Sequence, residues 1–341
     1  LVDALAARTK RVSPADVVAD ANRDAVAAPA IPGAPPGVAI AFRWNAEDEA
    51  STRWIPQGLT GSPDADSSGL VGGKRVILSS FYDSATTGAK GVRVAFVDAS
   101  ATPPRYRFAL LVSPSGTTAA PSFVPVDVHA GGLVWYGRWL YVADTTHGLR
   151  VFDTASILEV ATDQDVVGCD ATTCRAGLYK YVIPQVGKYE IASIDAACEP
   201  LFSFVSLDRS SSPPSLVSGE YCSASACKGP LAGRVFRWPL DPATGLLRSA
   251  RTFPTEAFFM GQTQVQGGAA RGGVFYLSSS APAAGGGALY RVKQGASATS
   301  AWIDAPEDLM VDGPGGLLWC QSEAADARVV FGAKLTSYPS P

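Results

Sequence analysis

The feature that most constrains the fold is a succession of short β-type runs that starts at Gly37 and continues along the rest of the chain. The runs are rich in Val, Ile, Leu and aromatic residues, and clusters of Gly, Pro, Ser and Asp separate them. Many short strands of this kind are typical of an all-β sandwich, barrel or propeller. With 341 residues, 47% of them hydrophobic, the chain is long enough to bury one large all-β core.

Internal repetition chooses among these architectures. Five segments open with a polar residue followed by small and apolar ones, and each leads into an apolar second strand and an amphipathic third strand. The segments are PQGLTG with Gln57, VHAGGLVW with His129, YEIASID with Glu190, VQGGAA with Gln266, and PEDLMVD with Glu307. In the third repeat, FSFVSLDR is the expected second strand and LLRSARTF the expected fourth strand. Small residues suit inner strands that crowd a central channel, so the repeats predict a β-propeller with five blades, or six as the alternative. Two packed β-sandwiches are the competing interpretation.

The two ends of the repeat region fit each other. The last repeat lacks a fourth strand, and a spare strand, GVAIAFRW at 37–44, precedes the first repeat. Because closing a ring removes two exposed sheet edges, we expect 37–44 to be the outer strand of the last blade. Residues 1–36 are predicted to be an arm with a short helix capped by Ser13, and 37–341 the propeller domain. We expect the fold to tolerate removal of residues 1–30.

Two stretches resemble a known group of proteins. LYVADTTHGLRVFD and PEDLMVDGPGGLLW are similar to strand pairs of secreted bacterial β-propellers of the NHL, LVIVD and gluconolactonase kind. The resemblance implies the propeller architecture, which hosts many unrelated functions. In the gluconolactonase branch, a Glu of the first inner strand binds a divalent metal. Gln57 stands at the corresponding place here, so the resemblance does not carry lactonase chemistry over to this chain.

Polar residues recur at two positions of each predicted repeat. One set begins the inner strands and the other follows the second strands, and in a propeller blade these positions lie at the same end. The first set contains Gln57, His129, Glu190, Gln266 and Glu307, and the second contains Tyr82, Asp144, His147, Arg209 and Glu323. We therefore expect both sets, with the two histidines of the chain, to surround one mouth of the channel.

The residue types suggest chemistry at that mouth. His129 would be a general acid or base because imidazole titrates near neutral pH, and Glu190 and Glu307 would be its partner carboxylates. Tyr82 would stabilise developing charge. The two glutamates would alternatively hold a hard cation such as Ca²⁺. The ligand-binding residues would be Gln57, Gln266, His147, Asp144, Arg209 and Glu323. In the simplest alternative, the polar ring holds ordered water and Asp144 closes a turn.

The favoured function is an exported enzyme, a lyase or hydrolase, that acts on a saccharide or small polar molecule at the channel mouth. A propeller that binds a glycan or a protein without catalysis is the alternative. The net charge of −3 and the lack of a basic run argue against nucleic acid as a partner. No apolar stretch approaches the roughly 20 residues of a membrane-spanning helix. We expect a monomer.

Cysteine spacing points to the compartment. CDATTC and CSASAC each enclose a short polar loop, and their spacing differs from that of most zinc sites. We therefore expect two local disulfides, Cys169–Cys174 and Cys222–Cys227, which are typical of a secreted or periplasmic protein. Cys198 and Cys320 either pair with each other or stay free.

Overall fold

The structure is a computed structural model of the 341-residue chain, and it describes residues 1–28, 31, 35–192, 199–223, 233–249, 251–283 and 286–341. The N-terminal arm contains α1 (Val2–Ala6), β1 (Lys10–Val12), α2 (Pro14–Ala19), β2 (Arg23–Asp24) and β3 (Val26–Ala27). Ser13 caps α2 as predicted, because its side chain accepts from the backbone N–H of Asp16 and the Asp16 carboxylate accepts from that of Ser13.

The arm is packed onto the rest of the molecule. Leu5, Val17 and Val18 are buried in apolar clusters with strands far along the chain. β1 pairs with a strand near residue 158, and β2 pairs with one near residue 105. Each fully buried aliphatic side chain contributes about 1.5–3 kcal/mol to folding. This burial argues against the expectation that residues 1–30 are dispensable.

After β4 (Val38–Arg43) and α3 (Ala46–Ala50), the strands form consecutive antiparallel units of four. Unit one contains β5 (Trp54–Gly61), β6 (Val76–Asp83), β7 (Val92–Asp98) and β8 (Arg105–Gly116), with α4 (Ser62–Ala65) after β5. β9 (Pro121–Pro125) pairs with β8. Unit two contains β10 (Leu133–Tyr136), β11 (Trp139–Asp144), β12 (Gly148–Asp153) and, after β13 (Ile157–Glu159), β14 (Val167–Cys169) and β15 (Cys174–Ala176), the outer strand β16 (Tyr181–Glu190).

The remaining units follow the same order from inner to outer strand. Unit three contains β17 (Phe202–Asp208), β18 (Ser215–Glu220), β19 (Arg234–Pro239) and β20 (Glu256–Phe259). Unit four contains β21 (Val265–Arg271), β22 (Val274–Ala283), β23 (Gly286–Lys293) and β24 (Ala296–Ala301). Unit five contains β25 (Pro306–Asp312), β26 (Leu317–Ser322), β27 (Val330–Lys334) and β4. Short 3₁₀ turns lie at Thr154–Ser156 and Leu335–Ser337.

The all-β class is confirmed, and the units form a β-propeller. The first strands β5, β10, β17, β21 and β25 contact one another in succession, and β25 also contacts β5. An apolar cluster lies between each pair of neighbouring units, for example around Trp135, Tyr141, Phe204, Trp302 and Trp44. A ring of sheets packed face to face buries the alternating apolar residues of every strand.

The N-terminal strand closes this ring. β4 pairs antiparallel with β27, with Val330 opposite Phe42 and Phe331 opposite Ala41. This is the pairing that the sequence predicts for 37–44. The outer strands β8 and β16 also pair in parallel, which joins units one and two into one larger sheet. Further short strands lie on its margin, so the number of blades stays a prediction.

Unit three differs from its prediction. The segment FSFVSLD is the first strand of the unit, β17, and not the second. The second strand is β18, which the sequence analysis did not identify. The fourth strand is β20 at Glu256–Phe259, whereas LLRSARTF at 246–253 was expected. YEIASID is not an inner strand in the described part of the chain, since Tyr189 and Glu190 end β16 and residues 193–198 lie outside the description.

One predicted disulfide is present, between Cys169 and Cys174, and it links β14 to β15. Cys222 is disulfide-bonded as well, but its expected partner Cys227 lies outside the described residues, as does Cys198. Cys320 is free and buried in the cluster between units four and five. Within the described residues, no helix combines the length and the apolar character needed to cross a membrane.

Candidate functional site

β-Bulges direct polar side chains to one end of the channel. The pairing register of β5 shifts between Pro56 and Leu59, so that Gln57 lies in a bulge. In the same way Gln266 lies in a bulge of β21, and Glu307 lies in a bulge of β25. A bulge inserts an unpaired residue and re-aims its side chain, and bulges are common beside functional sites. Three inner strands therefore present a polar group near their entry ends.

Six of the predicted residues meet there, and we call them the mouth cluster: Gln57, Tyr82, His129, Gln266, Glu307 and Glu323. Gln57 Nε2 donates to Glu323 Oε2 at 2.7 Å, which joins units one and five. Gln266 Nε2 donates to Glu307 Oε1 at 3.3 Å, which joins units four and five. Each buried amide thus pairs with a carboxyl group, as buried polar groups require.

Burial and neighbouring acidic groups favour the protonated form of Glu307. Burial raises the pKa of Glu307 well above its usual range, and the nearby Glu323 and Asp308 raise it further. Burial also raises the pKa of Glu323, while the Gln57 hydrogen bond and Arg328 oppose the rise. The pKa of Tyr82 is raised by burial and by the same two glutamates, so its hydroxyl stays protonated. Two carboxyl groups close together cannot both ionise cheaply.

His129 stacks on Tyr82 at this mouth. The ring centroids are 4.5 Å apart and the ring planes are tilted by 38°. The histidine side chain is exposed on one side, yet partial desolvation by its surroundings lowers its pKa. The neutral imidazole therefore predominates at neutral pH. A neutral imidazole in contact with a protonated phenol places a proton acceptor beside a proton donor.

The backbone next to His129 holds this arrangement. Ala130 adopts a positive φ of 56°, which is uncommon for a residue with a side chain. Its carbonyl accepts from Ser80 Oγ at 2.9 Å, and that oxygen also accepts from the backbone N–H of Gly58 at 2.8 Å. Ser80 lies two residues before Tyr82 on β6. The same strand therefore fixes the loop before β10 and supplies the ring on which the imidazole stacks.

The two glycines after Ala130 allow another part of the backbone to approach closely. A Cβ atom on Gly131 would lie 2.2 Å from the Ser203 carbonyl oxygen, and one on Gly132 would lie 2.1 Å from the Val205 nitrogen. These positions need glycine because the inner strand β17 passes against them. They serve the closure of the ring.

Asp308 was missed by the sequence analysis, although it follows Glu307. Its Oδ2 accepts from the backbone N–H of Leu59 at 2.9 Å and of Leu133 at 3.2 Å, and its Oδ1 accepts from that of Leu309 at 2.9 Å. Asp308 is fully buried and bonds to the inner strands of units one, two and five. The adjacent acidic pair in PEDLMVD was the available signal. This pair indicates two buried carboxyl groups only because the bulge lets both side chains turn inward.

Asp144, His147 and Glu190 form a separate polar group at the outer part of unit two. His147 Nδ1 lies 3.0 Å from Asp144 Oδ1, and Arg150 Nε donates to Asp144 Oδ2 at 2.9 Å. Glu190 is exposed and ion-paired with Lys188, which lowers its pKa. Asp144 and His147 thus fit the turn-closing alternative. The structure does not bring Glu190 to Glu307 because β16 is an outer strand.

Arg209 lies at the opposite end of the channel from the mouth cluster. It follows the first strand of unit three, and its guanidinium donates to the carbonyl of Asp64 and lies 5.1 Å from the centre of the Tyr136 ring. Asp64 and Tyr136 lie in or beside the turns between first and second strands of units one and two. The expectation that Arg209 reaches the mouth is therefore corrected by the strand order of unit three.

The mouth does not match the predicted calcium site. Among the described residues, no three His, Cys, Asp or Glu side chains are grouped so that they could hold a metal ion. The expected ligand pair is divided between two places, burial favours the protonated form of Glu307, and both Glu307 and Glu323 accept amide hydrogen bonds. The donor set therefore does not fit a divalent cation.

The mouth cluster can perform proton transfer. It offers an accessible neutral imidazole, a half-buried phenol and a partly exposed carboxyl group, all within one group of contacts. Glu307 is only 1% exposed, so it can act only through the other residues of the cluster. General acid–base catalysis needs a proton acceptor and a proton donor close together, and this cluster contains both kinds of group.

Comparisons with known proteins identify no family. No family model matches the chain, and no curated protein matches it. The β-propeller domain of Cps50 (Swd1) from Myceliophteria thermophila is similar at 10% identity and a TM-score of 0.39, covering 88% of this chain and 99% of that one. RS223-β-xylosidase is similar at 10% identity and a TM-score of 0.36, covering 82% and 92%. A GH43_1 enzyme from Xanthomonas citri is similar at 9% identity and a TM-score of 0.32, covering 97% and 91%. Likenesses this distant carry no argument about function, which rests on the site itself.

Proposed function

We propose that this protein is an exported β-propeller enzyme, a lyase or hydrolase, that acts by general acid–base catalysis on a saccharide or small polar molecule at the channel mouth. The observation that carries the proposal is the stacking of His129 on Tyr82, at 4.5 Å between ring centroids, beside two carboxyl groups. The pKa of the His129 imidazole is lowered and the pKa of the Tyr82 phenol is raised. At neutral pH the imidazole can therefore accept a proton, and the phenol can supply one.

Each residue has a role in this proposal. His129 is the general base, and Tyr82 donates a hydrogen bond or a proton to the oxygen that gains charge. Glu323 is partly exposed and, while protonated, is a second donor. Gln57 and Gln266 position the two glutamates. Glu190 is left out, because it is ion-paired with Lys188 at the outer strand of unit two.

A neutral, hydroxyl-rich substrate suits the mouth best. Glu323 helps to raise the pKa of Glu307, and an anionic group placed beside the Glu323 carboxylate would meet the same repulsion. Amide and carboxyl groups offer the hydrogen bonds that sugar hydroxyls accept and donate, and the Tyr82 ring offers a flat face. These properties favour a neutral saccharide over a uronate.

Export, oligomeric state and blade number are part of the proposal. The Cys169–Cys174 bond and the disulfide-bonded Cys222 support an oxidising compartment, either the periplasm or the outside of the cell. We propose five blades, with six as the alternative, from the succession of first strands. We also propose that the domains are the arm 1–36 and the propeller 37–341, that the protein is a monomer, and that nucleic acid is not a partner.

A non-catalytic propeller that binds a glycan or a protein is the second candidate. The observation that favours it is the pairing of both mouth amides with carboxyl groups, from Gln57 to Glu323 and from Gln266 to Glu307. A network whose hydrogen bonds are all satisfied can link the inner strands without any catalytic role.

Activity screening with matched variants tests the proposal. A panel of neutral oligosaccharides, uronate polymers and lactones is assayed for new reducing ends, for new conjugated double bonds and for acid release. His129→Ala and Tyr82→Phe are expected to lower kcat by about 10²–10⁴-fold with the fold intact. His147→Ala, which removes an exposed turn histidine, is the control and should keep full activity. Binding of a glycan that both variants retain, with no turnover by the unaltered protein, would establish the second candidate instead.

A further inference from the structure

A cavity lies away from the mouth cluster, under the N-terminal arm at the outer side of unit one. Its volume is about 260 Å³, which is the liquid volume of roughly nine water molecules. The arm, α3, the strands β7 and β8, and the segment before β16 all contribute to its walls. None of its lining residues belongs to the mouth cluster, so it is independent of the proposed function.

The walls of this cavity are strongly cationic. Five basic side chains line it against two acidic ones, an excess of three positive charges, and the basic residues are Arg23, Lys90, Arg93, Arg107 and Lys180. Of the two carboxylates, Asp48 is already bound, because its Oδ1 accepts from Arg93 Nη2 at 2.6 Å and its Oδ2 accepts from the Tyr106 hydroxyl at 2.7 Å. The acidic partners of the two lysines, Asp20, Glu159 and Asp165, do not line the cavity and are solvent-accessible, so solvent screens them.

A buried guanidinium gives an independent sign of an anionic ligand. Arg93 is 3% exposed, lines the cavity, and lies 3.7 Å from the centre of the Phe108 ring and 4.5 Å from that of Trp54. Its Nε is buried without a hydrogen-bond partner, whereas Arg23 Nε is ion-paired with Asp48 Oδ2 at 3.3 Å. Buried guanidinium groups normally have every donor satisfied, so the unsatisfied Arg93 Nε beside a cavity is unusual.

We infer that this cavity binds a small oxyanion, a carboxylate or a phosphate or sulfate group, carried by a molecule with a flat or apolar body. Arginine side chains match the geometry of carboxylate and phosphate oxygens, and Lys90 and Lys180 add point charges at the rim. Trp54 and Tyr179 line the same space and offer aromatic surface to the rest of the ligand.

Isothermal titration and thermal unfolding test this inference, with inorganic phosphate, sulfate and glucuronate as probes. Glucose is the uncharged counterpart of glucuronate, and sodium chloride at matched ionic strength controls for screening. The expected result is saturable binding of at least one oxyanion, with a rise in melting temperature that chloride and glucose do not give. If phosphate and sulfate bind but glucuronate does not, the ligand carries a tetrahedral oxyanion, and the reverse result identifies a carboxylate.

Lysine variants locate the binding. Lys180→Gln removes a lining charge and is expected to weaken binding about fivefold, as for one charge lost near a surface site. Lys188→Gln is the matched control, since Lys188 is also an ion-paired lysine of the same region but does not line the cavity. Lys90→Gln is the second variant if loss of the Lys180–Asp20 pair loosens the arm.

Three results would overturn the inference. The first is no saturable binding of phosphate, sulfate or glucuronate beyond the effect of chloride. The second is equal weakening by Lys188→Gln and Lys180→Gln, which would show general charge screening. The third is loss of oxyanion binding in His129→Ala, which would locate the anion at the mouth. Loss of saccharide turnover alone in that variant bears on the proposed function and leaves this inference standing.

Discussion

Asp308 is predicted to hold the inner strands of three units together, and its removal gives a large and measurable loss of stability. Its carboxylate accepts the backbone N–H groups of Leu59 in β5 and Leu133 in β10, besides that of Leu309. Leu59 closes the β5 bulge, beside Gln57 and Gly58, where the ladder is interrupted. Asp308→Ala leaves the two N–H groups from other strands buried without an acceptor. At about 1–3 kcal/mol for each, the expected loss is about 2–6 kcal/mol.

Two variants separate this cause from loss of volume. Asp308→Asn keeps one carbonyl oxygen at the same place, so it should lose clearly less stability than Asp308→Ala. Asp127→Ala removes an exposed carboxylate and should stay within about 0.5 kcal/mol of the unaltered protein. The free energy of unfolding is measured in urea with the m-value held comparable, and amide exchange at Leu59 and Leu133 reports the local effect.

Two results would refute the reasoning. In the first, Asp308→Ala changes the free energy of unfolding by less than about 0.5 kcal/mol. In the second, Asp308→Asn loses as much as Asp308→Ala while the exchange rates of the Leu59 and Leu133 amides stay unchanged. Either result would mean that the hydrogen bonds to β5 and β10 do not hold these inner strands in place.

Four further predictions concern the rest of the molecule. The pKa of Glu307 in the folded protein is raised above its unfolded value of about 4.3. The protonated Glu307 side chain therefore stabilises the fold fully below about pH 4.3, and this stabilisation is lost as pH rises through the folded pKa. Glu307→Gln should flatten the fall of the urea midpoint with rising pH. Removal of residues 1–44 should expose the edge of β27 and cause aggregation, which size exclusion would detect. Removal of residues 1–30 should lower the melting temperature in thermal unfolding, because Leu5, Val17 and Val18 are buried. In denatured, non-reduced protein, a thiol reagent should label Cys320 and spare Cys169, Cys174 and Cys222, as peptide mapping would show. Calcium should leave the melting temperature unchanged, and a rise of several degrees would show that a cation binds to the folded state.

The architecture was readable from the sequence because repetition and edge closure are strong signals. Strand pairs of units one, two, four and five fall where the repeats predict them, and β4 pairs with β27 as expected. The packing of the arm was not readable. Its helix has a clear capping signal at Ser13, but short segments with few apolar residues do not reveal that Leu5, Val17 and Val18 are buried in contacts distant in sequence.

The second strand of unit three gave almost no signal. Its sequence, SLVSGE, has little of the apolar, β-branched character of a core strand. The reason lies in the packing, because a Cβ atom on Gly219 would lie 2.2 Å from the Phe204 ring. The strand is therefore made of small residues so that a large ring from the neighbouring strand can fit. A sequence pattern shows which residues are apolar. It does not show which residues must be small because a neighbouring side chain occupies the space.

That single missed strand explains the misplacement of Arg209 and Glu190. In a four-stranded antiparallel unit, successive connections alternate between the two ends of the sheet. Assigning β17 as the second strand moved its C-terminal turn, with Arg209, to the wrong end of the channel. It also turned the end of β16, with Glu190, into an inner strand. The six residues that do meet at the mouth come from units one, four and five and from the loop before β10, where the strand order was right. Asp144 and His147 of unit two also follow the predicted strand order, but they form a separate polar group. The accuracy of a site predicted from repeats in a propeller thus depends on the strand count of each unit, and one error changes the end of the channel rather than merely the position along a strand.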